Sequence, residues 1–455
     1  MPKSMETPIY DFVAAYAASD TVRFHMPGHK GIPRLGCESL DITEIAGADA
    51  LYEADGIIAK SEENAGKLFG CRTLYGTEGS SQCIRAMVCL LQGYAKLHNK
   101  KPLLAAGRNA HKSFLTAAAL LGVEVDWLYP SENPNYLACN LQPGELETYF
   151  RQAETLPTAV YLTSPDYLGN IPDLAALAAV CHRYGVLLAV DNAHGAYLKF
   201  LPKSLHPMDL GADICCDSAH KTLPVLTGGA YLHLADSLDA AAARRAMSLF
   251  GSTSPSYLIL QSLDAANVYL ETYPPKLAAL LPAVEALKNR LRQRGYTLLG
   301  NEPLKLTIHA KAYGYEGTEF ADLLRRQNIE PEFADPDQVV LLLSAQTDET
   351  MLGQLEAALA GIEKKQPLQA ACIPLQPPGK KMSIREAMLS LSETLPAEEC
   401  LGRILAVPTV GCPPAVPILV CGEEIDQHAL TCFAYYGIET CCVVKETVSK
   451  EEVRL

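Results

Sequence analysis

Between about residues 70 and 235, short apolar runs alternate with amphipathic segments that begin on capping residues. The runs at 73–75, 102–106, 123–129, 159–163, 186–190, 212–216 and 229–234 predict strands. The stretch 173–184 predicts the clearest helix between them. Asp173 suits its N-cap, Leu174, Leu177, Val180 and Cys181 share one face, and Gly185 follows as a stop. Repeated strand–helix–strand units predict a mostly parallel sheet covered by helices. Residues 256–294 predict long helical segments broken at Pro274-Pro275. The rhythm then changes. Residues 305–309 and 338–344 read as strands and 318–327 and 348–363 as helices, which together make a small α/β unit. Pro367, Pro374, Pro377 and Pro378 mark a linker before a last unit. The expected organisation is an arm at 1–30, a large domain at 31–292, a small α/β domain at 293–365 and a C-terminal domain at 366–455.

Composition changes this picture little. A chain of 455 residues, 49% hydrophobic and 20% charged, is ordinary for a globular protein and long enough to bury a large core unaided. A net charge of -14 speaks against nucleic acid and against an anionic membrane surface as partners. The 15 cysteines include no CxxC pair and no Cys/His group at zinc-ligand spacing, so no metal is expected. Cys215-Cys216 and Cys441-Cys442 read, like most of the others, as small buried residues in a reducing cytosol. Glu6 and Asp11 interrupt any signal-peptide pattern, so the expected location is cytoplasmic. The uncharged stretch 404–422 could span a bilayer by length. Pro408, Gly411, Pro413, Pro414 and Pro417 would leave such a helix with unsatisfied backbone, and a buried irregular β segment fits better.

In open parallel sheets ligands gather beyond the carboxyl ends of the strands, so the residues that follow each strand carry the chemical information. After 73–75 come Gly76, Thr77, Glu78, Gly79, Ser80 and Ser81, then an amphipathic helix. Such a turn offers free N–H groups to a phosphate, although taken alone it reads first as an ordinary capped helix start. His111 follows 102–106 and could stack on a flat cofactor or take a proton. Asp191 ends the strand at 186–190, ahead of Asn192, Ala193, His194 and Gly195. A carboxylate there needs a cation or several donors. A protonated ring nitrogen would serve, and at roughly 4 Å and an effective dielectric near 20 the pair gains about 4 kcal/mol. After 212–216 come Asp217, Ser218, Ala219, His220, Lys221 and Thr222. A lysine in an apolar setting can act as an amine nucleophile.

One ligand accounts for all four places: pyridoxal 5'-phosphate. Lys221 would form the Schiff base, Asp191 would hold the pyridine nitrogen protonated, and His111 would lie on the ring face. Ser218, His220 and the 76–81 turn would hold the phosphate.

At this point the chain resembles the bacterial ornithine/lysine/arginine decarboxylases in their short form. The resemblance rests on His25-Met26-Pro27-Gly28-His29-Lys30, Arg108-Asn109-Ala110-His111-Lys112-Ser113, Asp191-Asn192-Ala193-His194-Gly195, Ser218-Ala219-His220-Lys221-Thr222 and Ser252-Thr253-Ser254-Pro255-Ser256-Tyr257. It implies an aminotransferase-like fold type I and a homodimer in which Thr253 and Ser254 reach the phosphate of the neighbouring subunit. Without it, those two residues read as a helix cap. The implied catalytic residues are Lys221, Asp191 and His111. The implied cofactor-binding set adds Thr77, Glu78, Gly79, Ser80, His194, Ser218, His220, Thr253 and Ser254.

Three departures touch substrate choice. Asn192 stands where the family usually has Glu, and Glu78 where a small hydroxyl residue is common, so that its backbone N–H rather than its carboxylate would face the phosphate. The C-terminal pattern reads Cys412-Pro413-Pro414-Ala415-Val416-Pro417 and Cys421-Gly422-Glu423. The resulting expectation is α-decarboxylation of lysine, arginine or ornithine to a diamine or agmatine, with acidic side chains receiving the distal cation. An aminotransferase or lyase on the same fold commonly grips the substrate carboxylate with a small-domain arginine, and no arginine occurs between Arg326 and Arg385. A non-catalytic cofactor-binding protein would have no need to keep Lys221, Asp191 and His111.

Overall fold

A computed structural model describes residues 5–131, 136–369, 376–410 and 416–446. The seven strands expected in the first half form one sheet. They are β1 (Arg72–Gly76), β2 (Leu103–Gly107), β3 (Glu124–Leu128), β4 (Ala159–Thr163), β5 (Leu187–Asp191), β6 (Ile214–Asp217) and β7 (Ala230–Leu234). Their order is β1-β7-β6-β5-β4-β2-β3. All neighbours from β6 to β3 pair in parallel, and β7 runs antiparallel to both β6 and β1.

Burial on both faces explains why these strands are continuous apolar runs. Leu104, Ala106, Tyr161 and Ala189 pack on one side, against the helices Gly79–Leu97 and Lys112–Leu121. Ala105, Val160, Leu162, Leu188 and Val190 pack on the other, against Pro143–Gln152 and Leu174–Arg183. Successive residues alternate between two cores, so neither face needs polar positions. Asp173 caps the helix Leu174–Arg183 by accepting from the Ala176 N–H at 3.0 Å.

The expected break at Pro274-Pro275 falls between the helices Tyr257–Glu271 and Tyr273–Gln293, and the two prolines open the second helix. A first turn needs no donor from proline, which suits them there. The helix Pro8–Ala17 in the arm is held on this layer by Asp264, whose Oδ2 accepts from the N–H groups of Ile9 and Tyr10.

A second sheet contains β8 (Leu298–Leu299), β9 (Lys305–His309), β10 (Phe333–Ala334) and β11 (Gln338–Leu342). It runs β10-β11-β9-β8 and is antiparallel throughout, with Gly317–Arg325 and Glu349–Gly361 as its helices. Its two-residue strands are too short to show a period in sequence.

After the linker, Ser392–Pro396 pairs with Thr440–Val444 and Thr409–Val410 with Pro417–Leu419. The described parts of 404–422 contain no helix, and Val420 and Cys421 are buried. Cys412 lies outside the described residues. Among the described residues no helix is long and apolar enough to cross a membrane. The described cysteines are free thiols, most of them buried.

This last unit is tied to the main sheet by Arg108, just past β2. Its Nη2 lies 2.9 Å from Glu423 Oε2 with both side chains almost fully buried, and its guanidinium donates to the carbonyls of Pro417 and Ile418. It also sits 5.2 Å from the ring of Trp127.

Candidate active site

Parallel strands place their carboxyl ends along one edge, and there a cavity of about 230 Å³ opens. Five of the residues singled out in the sequence line it: Ser80, His111, Asp191, His194 and Lys221. Asn109, Thr163, Tyr167, Glu332 and Val416 line it as well. Thr163 and Tyr167 end and follow β4. The rule that pointed to the other strand ends applies there too, and the Ser164-Pro165-Asp166-Tyr167 turn is the signal that would have found them. Glu332 immediately precedes β10 of the second sheet, and no local pattern marks it. Val416 comes from the C-terminal unit, within the 412–417 pattern already quoted.

Lys221 follows β6, and its Nζ lies 2.9 Å from Nε2 of His194. Burial pushes the Lys221 amine below its ordinary range, against the opposing pull of Asp191 and Glu332. Burial holds the His194 imidazole well below its usual value, and Lys221 acts in the same direction. Its Nδ1 is buried without a hydrogen-bond partner among the described residues, and its ring meets Tyr167 edge-on at 5.0 Å. Asp191, 2% exposed at the end of β5, accepts from the Tyr161 hydroxyl and the Ala193 N–H, both at 3.2 Å. Burial still pushes its carboxyl up, while Lys221 pulls it down.

His111 caps the helix Lys112–Leu121. Its Nδ1 accepts from the Ser113 N–H at 3.2 Å, so a neutral ring carries its proton on Nε2. Burial, with Lys221 and Lys112 adding repulsion, brings its pKa down to about 4. Neutral His111 can therefore face a flat ring without bringing a charge to it.

The turn before the helix Gly79–Leu97 has Gly79 at φ +67°, a left-handed conformation suited to glycine. Its N–H donates to the Gly228 carbonyl at 2.7 Å, and no side chain caps the helix. Ser218 donates to the Ser80 hydroxyl at 2.8 Å, which frees the Ser80 proton for another acceptor. His220 donates from Nδ1 to the Gly229 carbonyl at 3.0 Å and lies under Gly79. Thr77 is buried beside the turn. The Glu78 carboxylate accepts from the Ser252 N–H at 2.6 Å and so points to the 251–254 loop. Thr253 and Ser254 in that loop are exposed and do not line this chain's cavity, and the helix cap is Ser256. Thr77, Glu78, Gly79, Ser218 and His220 thus surround the cavity wall without lining it.

The chain also gathers His206, Cys215, Asp217 and His233, with donor atoms within 4.8 Å of one another. Sequence spacing gives no sign of this cluster, because three separate segments bring it together.

These residues fit pyridoxal phosphate. The buried polar atoms of Asn109 (Oδ1), Thr163 (Oγ1) and His194 (Nδ1) around the cavity have no partner among the described residues. A buried carboxylate, an amine of lowered basicity and an uncapped helix start face one space. That donor set matches a protonated pyridine nitrogen, an aldehyde and a phosphate.

Comparison with known proteins points the same way. Residues 7–295 match the Orn/Lys/Arg decarboxylase major-domain family. The chain is 31% identical to YaaO, an uncharacterized protein of Bacillus subtilis (strain 168), over 94% of this chain and 93% of that protein. It is 29% identical to the arginine decarboxylase of the same organism, over 94% and 92% of the two chains. Its fold matches the lysine decarboxylase LdcF of Francisella novicida with a TM-score of 0.78 at 16% identity, covering 97% of this chain and 81% of that one. The constitutive lysine decarboxylase of E. coli matches with a TM-score of 0.76 at 18% identity, over 97% and 82%.

Proposed function

The chain belongs to the Orn/Lys/Arg decarboxylase family, and from that membership we propose that it removes the α-carboxylate of a basic amino acid with pyridoxal phosphate bound at Lys221. The observation that carries this reading is the convergence of Lys221, Asp191, His111 and His194 on one cavity at the sheet's carboxyl edge.

The cofactor, when bound, supplies an electron sink for the pair released as carbon dioxide leaves. The chain's own residues do the rest. Lys221 would attach the cofactor covalently, its amine kept nucleophilic by burial. Asp191 would hold the ring nitrogen protonated, and that cation would relieve its own buried charge. His111 would cover one face of the ring as a neutral imidazole. Ser80 would donate to the phosphate, with Ser218 aligning its hydroxyl from behind, His220 packing beneath the turn and Glu78 serving through its backbone N–H. Closure of the cavity by Tyr167 and Val416 would limit water at the reacting carbon.

Substrate choice turns on the distal group. Glu332 lines the cavity from the second sheet, and Tyr167 donates to its Oε1 at 3.3 Å. We assign it the distal ammonium or guanidinium. In this reading residues 31–292 form the cofactor domain, and 293–365 and 366–455 close over it. The protein is a cytoplasmic homodimer of polyamine biosynthesis, in which Thr253 and Ser254 serve the neighbouring subunit's phosphate.

The test is a panel of lysine, arginine and ornithine assayed for carbon dioxide and amine release. Amine with stoichiometric carbon dioxide from one of the three is the expected result. Keto acid without amine would replace the reading by transamination, and silence toward all three would overturn catalysis on basic amino acids.

A further inference from the structure

Asp191 and Lys221 sit at the tips of neighbouring parallel strands, β5 and β6, and a bound cofactor would have to meet both at once. Between those tips runs a buried polar link that the proposed reaction does not use. Asn192, the residue after Asp191, donates from Nδ2 to Asp217 Oδ1 at 2.6 Å. Asp217 is the last residue of β6, four before Lys221, and both Asn192 and Asp217 are fully buried.

The far side of Asp217 is held as tightly. Its Oδ2 accepts from His206 Nε2 and His233 Nε2, each at 3.1 Å. Every ring nitrogen has a role. His206 Nδ1 accepts from the Met208 N–H at 3.4 Å, and His233 Nδ1 meets the Thr73 hydroxyl at 2.9 Å. Burial would raise a lone carboxyl, but the two imidazoles reverse this and hold Asp217 far below the ordinary carboxylate range. Hydrogen bonding therefore accounts for the His206, Asp217 and His233 part of the cluster.

Gly195 makes room for the Asn192 amide in this position, because a Cβ there would stand 1.9 Å from Asn192 Oδ1. The Asn192 backbone N–H donates to the Cys216 carbonyl at 2.9 Å, a second tie to β6. Among the described residues its Oδ1 has no partner, so Asp217 is what sets the direction of the amide.

We propose that Asn192 is a positioning residue, whose bond to Asp217 fixes the separation and orientation of Asp191 relative to Lys221. The inference rests on the reading that those two residues hold the cofactor. An amide–carboxylate pair is directional, and reversing it conserves the geometry. When Asn192→Asp is combined with Asp217→Asn, the amide introduced at position 217 would accept from both histidines through its oxygen. Its nitrogen would donate to the carboxylate introduced at position 192.

The experiment measures the affinity of the apoprotein for pyridoxal phosphate by Trp127 fluorescence, together with kcat and KM. Asn192→Asp alone sets two carboxylates against each other, and Asp217→Asn alone sets two amides together. Each is expected to weaken cofactor affinity by about 10-fold or more and to lower kcat, with KM for the amino acid within about twofold. The exchanged pair is expected to recover both to within about threefold. An exchanged pair no better than either single change would overturn the proposal. So would Asn192→Leu with unchanged cofactor affinity, a result that decides the matter even where the charged single variants fail to fold. If the unaltered protein binds no pyridoxal phosphate, the assignment of Lys221 and Asp191 is what fails.

Discussion

Lys221 Nζ and His194 Nε2 are 2.9 Å apart, a contact that forbids both groups from being charged. His194, buried and held well below its usual pKa, is the neutral acceptor, and Lys221 donates to it. A deprotonated Lys221 that donates one N–H keeps its lone pair free. Borohydride treatment of the holoprotein should therefore fix the cofactor on Lys221 alone, and Lys221→Ala should abolish the label. Removing the acceptor with His194→Ala should slow cofactor capture by about 10²-fold, in the range found for positioned acid–base groups. Peptide mapping locates the label, and rapid mixing measures the capture. A label on a different lysine would contradict the assignment.

Asp191→Asn keeps the shape and the Tyr161 contact but removes the negative charge. Electrostatic groups aimed at a charge that matters in the transition state contribute roughly 3–4 kcal/mol each. A fall in kcat of about 10²–10³-fold is expected, with the protein still folded. A variant with more than a third of the original kcat would remove Asp191 from the mechanism.

His111 gives a pH signature. Its folded pKa, about 4, lies below the unfolded value near 6.5. Above 6.5 neither state binds the proton, so His111 costs nothing. As the pH falls below 6.5, the unfolded chain takes a proton that the folded chain refuses, and stability drops until about pH 4. Asp166 and Asp335, both raised to about 6 by burial, act in the opposite sense over the same window. The comparison must therefore be between variant and unaltered apoprotein. His111→Gln should lose less stability between pH 6.5 and 4.5 in urea unfolding, and equal losses would place the titration elsewhere.

Glu332→Gln should raise KM for the basic amino acid by about 10- to 100-fold, because a charge-assisted contact contributes roughly 1.5–3 kcal/mol. Cofactor affinity should not change. If kcat fell with KM constant, Glu332 would be acting at the reacting carbon rather than on the distal cation.

Much of the main sheet was legible because both of its faces are buried, so each strand appears as a continuous apolar run between capped helices. Asp191, Lys221 and His111 were legible because ligand groups follow the ends of such strands. Val416 was marked only as part of the 412–417 pattern, not as a cavity residue. Glu332 was not legible, since folding brings it to the cavity from a unit with a core of its own. The same holds for Asp217 with His206 and His233. Each looks like an isolated polar residue until β6, β7 and the 204–210 segment are packed together. Phe333–Ala334 and Leu298–Leu299 escaped for a simpler reason: two residues carry no period.

The buried pair Arg108–Glu423 gives the last prediction. Arg108 sits one residue before Asn109, which lines the cavity, and Glu423 belongs to the segment that delivers Val416. The pair therefore clamps the C-terminal unit beside the site. Glu423 also accepts from the Val420 N–H at 2.7 Å, so its carboxylate orders the 417–423 segment as well as pairing with the guanidinium. Losing one partner leaves the other buried and unpaired, at a cost of about 3–5 kcal/mol. Glu423→Leu and Arg108→Met should each lower the unfolding midpoint sharply. The double variant should recover part of that loss, because apolar residues of similar volume remove the unpaired buried charge while the Pro417 and Ile418 carbonyls and the Val420 N–H still lack their partners. Activity separates packing from clamping. If the pair only fills space, the double variant regains kcat along with that part of the stability. If the ion pair sets the position of Val416 at the cavity, the same stability returns and kcat stays low.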